Sequence, residues 1–252
     1  MENKPLADYL KNCEIEFKQL LGISNFPKYD IIPKEITLDK SENKGFDSWA
    51  TVFYDVSTGS HRLEIWNKIH TIGSSGKYNV FHEFTHILDN EVFVSDEKQY
   101  VANHGYTEYH ASQVELMFLV GAKHLSEKIH FSMNDLLDTL GDKTVKQFTE
   151  FPLLLASALI NRSDFPVDIE TLKVTLGLIF NYYGRRSICN MYSHDYYDSM
   201  KTDTIAKLIY PETVDVLNGF MTGWFDINKV KLINDLYFRI IISLIKKYNL
   251  KD

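Results

Sequence analysis

Residues 78–90 read YNVFHEFTHILDN, and the spacing of Val80, Phe81, Phe84, Ile87 and Leu88 is that of one buried face of a helix. On that helix stands His82-Glu83-Phe84-Thr85-His86, the pattern H-E-x-x-H. Residues four apart on a helix lie one above the other, so two imidazoles can converge on a single cation. Zinc suits imidazole nitrogen and lowers the pKa of its bound water toward neutrality. Glu83, next after the first histidine, can reach that water from the side and take its proton. His82 and His86 are therefore expected zinc ligands and Glu83 the expected general base. Asp89 lies three residues beyond His86, near the same face, where a carboxylate can orient a ligand from behind.

Working outward toward the N-terminus, residues 49–55 (WATVFYD) and 61–69 are rich in β-formers, and Ser57-Thr58-Gly59-Ser60 between them suits a hairpin turn. Residues 31–38 form a further short strand interrupted by Pro33, and residues 5–21 an amphipathic helix stopped by Gly22. Gly73-Ser74-Ser75-Gly76 reads as a break before the histidine-bearing helix. The remainder is helical in pattern. Segments 107–124, 132–140, 142–160, 168–183, 201–218 and 226–249 are set apart by Gly141, Asp164-Phe165-Pro166, Gly184, Pro211 and Gly223. The tyrosine-rich stretch NMYSHDYYDS at 190–199 fits neither period.

The expected fold is therefore α+β, a small antiparallel sheet packed on the histidine-bearing helix, followed by a mostly helical C-terminal half. Residues 1–124 form the core with its N-terminal helix. Residues 125–252 pack on it, either as a second unit or as part of the same domain.

Composition narrows the function. The chain has 252 residues, 27 Lys+Arg against 34 Asp+Glu, and a formal net charge of −7, which disfavours a protein that coats nucleic acid. Two cysteines, Cys13 and Cys189, exclude a disulfide framework and a cysteine-rich zinc site, so metal chemistry falls to His and carboxylates. The N-terminus lacks the apolar core of a signal peptide, and no apolar run approaches the roughly 20 residues of a membrane span. A cytoplasmic protein that binds neither membrane nor nucleic acid is the expectation.

A catalytic zinc wants a third protein ligand and an open position. The elongated pattern H-E-x-x-H-x-x-G-x-x-H is absent, because Asp89 and Val92 stand at its Gly and third His positions. The segment 106–117, YTEYHASQVELM, offers the ligand instead. Thr107 suits a helix cap, which starts a new helix at Glu108, and Ala111 allows close packing against the first helix. His104 and His110 are rival donors, and Glu115, seven residues past Glu108, shares its face.

H-E-x-x-H followed by Glu-x-x-Ala on a second helix resembles the gluzincin metallopeptidases, and within them the ImmA/IrrE-type proteins and the HtpX-type and CAAX-prenyl endopeptidases. The likeness covers about residues 45–118. It implies that Glu108 is the third zinc ligand, with His110 the alternative. Ser112 stands where Asn or Asp is usual, and His110 where Gln or Glu is common. It further implies that the strand before the active-site helix, residues 61–69, borders the cleft and pairs with an extended peptide. Zincins commonly steady the oxyanion with His, Tyr or Arg. His194 and Tyr192 are the candidates, with Tyr196, Tyr197, Arg185 and Arg186 beside them. The function so implied is a hydrolase, a zinc-dependent metallopeptidase acting on peptides or proteins through a zinc-bound water activated by Glu83. The alternatives are a catalytically silent protein-binding regulator built on the same core and a zinc hydrolase with a non-peptide substrate.

Overall fold

The computed structural model describes residues 4–36, 49–137, 140–141, 143–198, 200 and 202–250. The fold is α+β. Helix α1 (Lys4–Leu21) buries Leu6, Leu10, Cys13, Phe17 and Leu20 along one stripe and ends at Gly22, whose φ of 70° suits a residue without Cβ. Strands β1 (Tyr29–Lys34), β2 (Ala50–Asp55) and β3 (Ser60–Trp66) follow, in the sheet order β1-β3-β2.

β2 and β3 form the expected antiparallel hairpin, with Val52 opposite Leu63. Its turn is held by Asp55, whose carboxylate accepts from Ser57 N (2.9 Å) and Ser57 Oγ (2.6 Å). β1, however, runs parallel to β3, so the sheet is mixed rather than antiparallel. β3 is consequently the central strand and β2 an edge, the reverse of the expected arrangement around the cleft. The last residues of the predicted strand at 31–38 lie outside the described residues.

A 3-10 turn (Ile69–Ile72) leads into α2 (Ser74–Phe93), which begins four residues before the predicted helix. Gly76 is a packing residue inside that first turn, not a breaker. A Cβ there would sit 2.5 Å from Ile69 O and 3.0 Å from Tyr9 Oη. Three residues later the chain turns back into α3 (Glu97–Leu119), so α2 and α3 form a helical hairpin. Asp96 caps α3 by accepting from Gln99 N (2.8 Å). The expected start at Thr107 is therefore corrected by ten residues, and Thr107 and Glu108 lie in mid-helix. At Gly105 Tyr237 presses against the helix, 2.5 Å from where a Cβ would be.

α4 (Val145–Ile160) starts at a capping box of Thr144 and Gln147. The segment before it is not the predicted helix. Phe131 bridges Ser193, Leu136 bridges Thr144, and Asp195 binds Ser132 Oγ (2.7 Å) and Met133 N (2.8 Å). α5 (Ile169–Tyr192), capped by Asp168, runs through Gly184 and takes in the start of the unassigned stretch. The predicted helix over 201–218 is broken at Tyr210-Pro211 into α6 (Asp203–Ile209) and α7 (Pro211–Phe220), because proline cannot continue a helix. α8 (Ile227–Tyr248) closes the fold and ends at Asn249 in the left-handed conformation. No helix among the described residues is long and apolar enough to cross a membrane.

Two apolar clusters hold these elements. One gathers α1, the sheet, α2 and the end of α3 around Phe17, Phe81 and Phe84. The other joins α3 to α5–α8 around Tyr109, Phe180 and Tyr237. α3 and α5 contribute to both, and their closest approach is at Gly184, where a Cβ would stand 2.2 Å from the carbonyl oxygen of Tyr109. In a free helix Gly→Ala stabilises by about 0.5–1 kcal/mol. Here the sign should reverse. Gly184→Ala should lower stability by about 1–3 kcal/mol in urea denaturation, because a backbone atom must give way.

Candidate metal centre

Helix α2 presents His82 and His86 one turn apart, with ring centroids 4.7 Å apart. α3 crosses them so that Glu108 points back between the rings. His82 Nε2 lies 3.4 Å from Glu108 Oε2, and His86 Nε2 lies 3.8 Å from Glu108 Oε1. One donor atom from each residue falls within 4.8 Å of the others, the only such group of three among the described residues that could hold a metal ion. Two imidazoles and a carboxylate suit zinc, cobalt and similar divalent ions.

The opposite edges of both rings face side chains of α3. His86 Nδ1 and Thr107 Oγ1 are 2.8 Å apart. With Nε2 turned to the centre, Nδ1 carries the proton and donates it to Thr107, which sets both tautomer and ring angle. His82 Nδ1 faces Glu115 Oε2 at 4.0 Å. Glu115 is in turn clamped by Arg185 Nη2 (2.8 Å) and Nε (3.2 Å). Arg185 Nη1 donates to Phe148 O (2.6 Å), and its guanidinium lies 3.6 Å above the Phe148 ring. Glu115 thus lies behind His82 on the side away from Glu108.

Electrostatics divides the roles. Burial by itself would lower the His82 imidazole, but the Glu108 carboxylate, with Glu115 and Glu83 behind it, outweighs burial and raises it to about 9. Burial pushes His86 down to about 3, against the pull of Glu108, so its ring is neutral and its Nε2 lone pair is available. Burial would raise Glu108, yet the imidazoles of His86, His82 and His104 gathered around it hold its carboxyl well below the usual range. Burial lifts Glu83 to about 7, against the attraction of His82. Glu83 Oε2 accepts the amide of Val52 on β2 at 2.9 Å, which leaves Oε1 without a backbone tie.

Other expected site residues lie elsewhere. His110 is not beside the other histidines. It faces Asp89, at 2.9 and 3.1 Å from the two carboxylate oxygens, and it stacks on Tyr106. That pairing occupies the nearly buried Asp89 as well, so neither residue touches the His82–His86–Glu108 group. The reason is angular: on α3, His110 lies two residues past Glu108 and so faces well away from it. Tyr192 and His194 are also displaced. Tyr192 packs at the end of α5 in the first cluster, and the exposed His194 donates its backbone N–H to Phe131 O (3.2 Å).

The group opens into a cavity of about 600 Å³. One wall is β2, from Ala50 to Phe53, rather than the predicted strand 61–69. The other is α5, with Leu155, Tyr237 and Ile241 completing it. His104, weighed in the sequence as a rival ligand, lines this cavity with Nδ1 3.9 Å from Glu108 Oε1. Tyr237 had no local signal: it lies 129 positions beyond Glu108 on a helix whose pattern reads simply as core. No protein-family model, curated protein or solved structure matches the chain.

Arg185 and Glu115 form a buried pair, with side chains 9% and 4% exposed. Arg185→Met should cost about 3–5 kcal/mol by leaving Glu115 charged and unpaired. Arg185→Met combined with Glu115→Met should recover most of that loss, as read from the midpoints of urea unfolding curves.

Proposed function

We propose that the chain is a zinc-dependent metallopeptidase of gluzincin type, in which His82, His86 and Glu108 hold the ion and Glu83 moves the protons. The observation that carries the reading is the convergence of two imidazole Nε2 atoms and the Glu108 carboxylate, with Thr107 hydrogen-bonded to the far edge of the His86 ring and Glu115 facing that of His82. A mixed donor set with one carboxylate, and no fourth donor among the described residues that joins it, leaves the open position that catalytic zinc requires. When bound, zinc polarises a peptide carbonyl and makes water acidic enough to lose a proton near neutral pH.

The chain's own residues do the rest. Val52 N–H fixes Glu83 through Oε2, so Oε1 is the atom that takes the proton from the attacking water. The same atom then returns it to the leaving amine nitrogen. A carboxyl near pH 7 exchanges protons in both directions at little cost. β2, the edge strand beside Glu83, is the side on which an extended backbone can lie.

Purified protein should contain about one equivalent of zinc, and His86→Ala should contain almost none. Glu83→Gln should keep the zinc and lose at least a hundredfold in cleavage of an unstructured peptide library. Equal cleavage by wild type and Glu83→Gln would remove the enzyme reading. Thr107→Val should leave the fold intact while weakening zinc affinity about 10–100-fold, measured by chelator competition.

A further inference from the structure

Two buried polar atoms of the cavity lining, Tyr237 Oη and His104 Nε2, have no hydrogen-bond partner among the described residues. Tyr237 is 1% exposed, and its ring packs edge-on against His104 at 5.6 Å and Phe180 at 5.4 Å. A buried phenol without a partner destabilises a fold relative to phenylalanine, so its presence needs an explanation beyond packing. Both groups can donate a hydrogen bond: a phenol always, and an imidazole from whichever nitrogen carries the proton. They stand beside Glu108 but are not part of its donor group.

The wall of α5 adds charge at the right distance. Gly177 is the point where α5 meets the site: a Cβ there would lie 3.4 Å from the Glu108 carboxyl and 3.5 Å from His104 Nε2. Lys173 lies one turn before Gly177 on the same face and also lines the cavity, about 6 Å along the helix. It meets Glu170 only at 4.0 Å, the outer limit of an ion pair, and so remains available to another anion. Two extended peptide residues span about 7 Å, so a carboxylate one or two residues from a bond held at the metal centre comes within reach of the long, flexible Lys173 side chain. Around these groups Leu155, Val174, Leu178 and Ile241 give the cavity an apolar lining.

We propose that Tyr237, His104 and Lys173 form a carboxylate-binding subsite, so that the preferred substrates are short peptides presenting a carboxylate one or two residues from the bond to be cut. The inference rests on the metallopeptidase reading for the cleavage, but the subsite itself is a binding property. The carboxylate can be a free C-terminus or an acidic side chain, and both offer the same two acceptor oxygens.

The test is calorimetric titration of the full-length Glu83→Gln protein, zinc-loaded and metal-free, with three probes: acetyl-alanyl-leucine, its C-terminal amide, and acetyl-alanyl-glutamyl amide. At least one acid should bind threefold or more tighter than the uncharged amide, and the tighter acid identifies the source of the carboxylate. Tyr237→Phe and Lys173→Met, each added to Glu83→Gln, should bring that preference below threefold. Tyr237→Phe should melt at the same temperature as its parent or higher, which separates lost binding from lost structure. A preference below threefold in the parent, or one that survives either variant, overturns the subsite. Zinc content of the same samples reports separately on the metal centre. If the protein takes up no zinc, the metallopeptidase reading falls, and the metal-free titration still decides the subsite.

Discussion

Helix α3 is packed on two sides, by α2 on one and by α5 and α8 on the other, and it carries two carboxylates, Glu108 and Glu115, into that interior. A carboxylate removed from water must find positive charge or hydrogen-bond donors, and much of the architecture follows from this. Glu115 is answered by Arg185 from α5. Glu108 is answered by His82 and His86 from α2, with His104 on its own helix. Both solutions need the helices close together. Gly184 lets α5 approach the backbone of α3, and Gly177 lets it pass the Glu108 carboxyl. A side chain at Gly184 would push away the wall that keeps the carboxylates in place.

The two carboxylates are not equivalent. Glu115 has a permanent cation held by three hydrogen bonds, two to Glu115 and one to Phe148 O, so its charge is fully committed. Glu108 has only imidazoles, and of these His86 is neutral. A site with a charged carboxylate, a neutral imidazole and a second imidazole that can give up its proton is organised to receive a cation. Binding a divalent ion would displace the proton that His82 holds through its attraction to Glu108. The arrangement therefore makes ion uptake release a proton and fall off as the solution becomes acidic.

How much of this was legible in the sequence depended on range. The H-E-x-x-H helix, the β2–β3 hairpin and the pairing of α2 with a Glu-bearing helix are local patterns, and each is present. Errors arose where a local signal had a tertiary cause. Gly76 and Gly184 read as punctuation but are points of close packing inside helices. Asn103 lies in mid-helix because its side chain is buried and meets Asn90 and Asn234. The parallel β1–β3 pairing, which makes β2 the edge, has no local marker at all. Glu108 and His110 face opposite ways on any helix that holds both, and what brings the Glu108 side to His82 and His86 is the crossing of α2 and α3, a tertiary fact with no local marker.

The tie between Val52 and Glu83 links the two sides of the cleft. The amide of an edge strand would ordinarily face solvent or pair with another extended chain. Here it is spent on the Glu83 carboxylate, so the position of the edge and the position of Glu83 cannot vary independently. On the far side, α5 passes close to Glu108 at Gly177. The cavity between these two fixed walls is therefore made jointly by the sheet-bearing half and the helical half. That accounts for the helices after residue 124, which the sequence left without a role: α5 supplies the wall and the Arg185 counter-charge to Glu115, and α8 the Tyr237 hydroxyl.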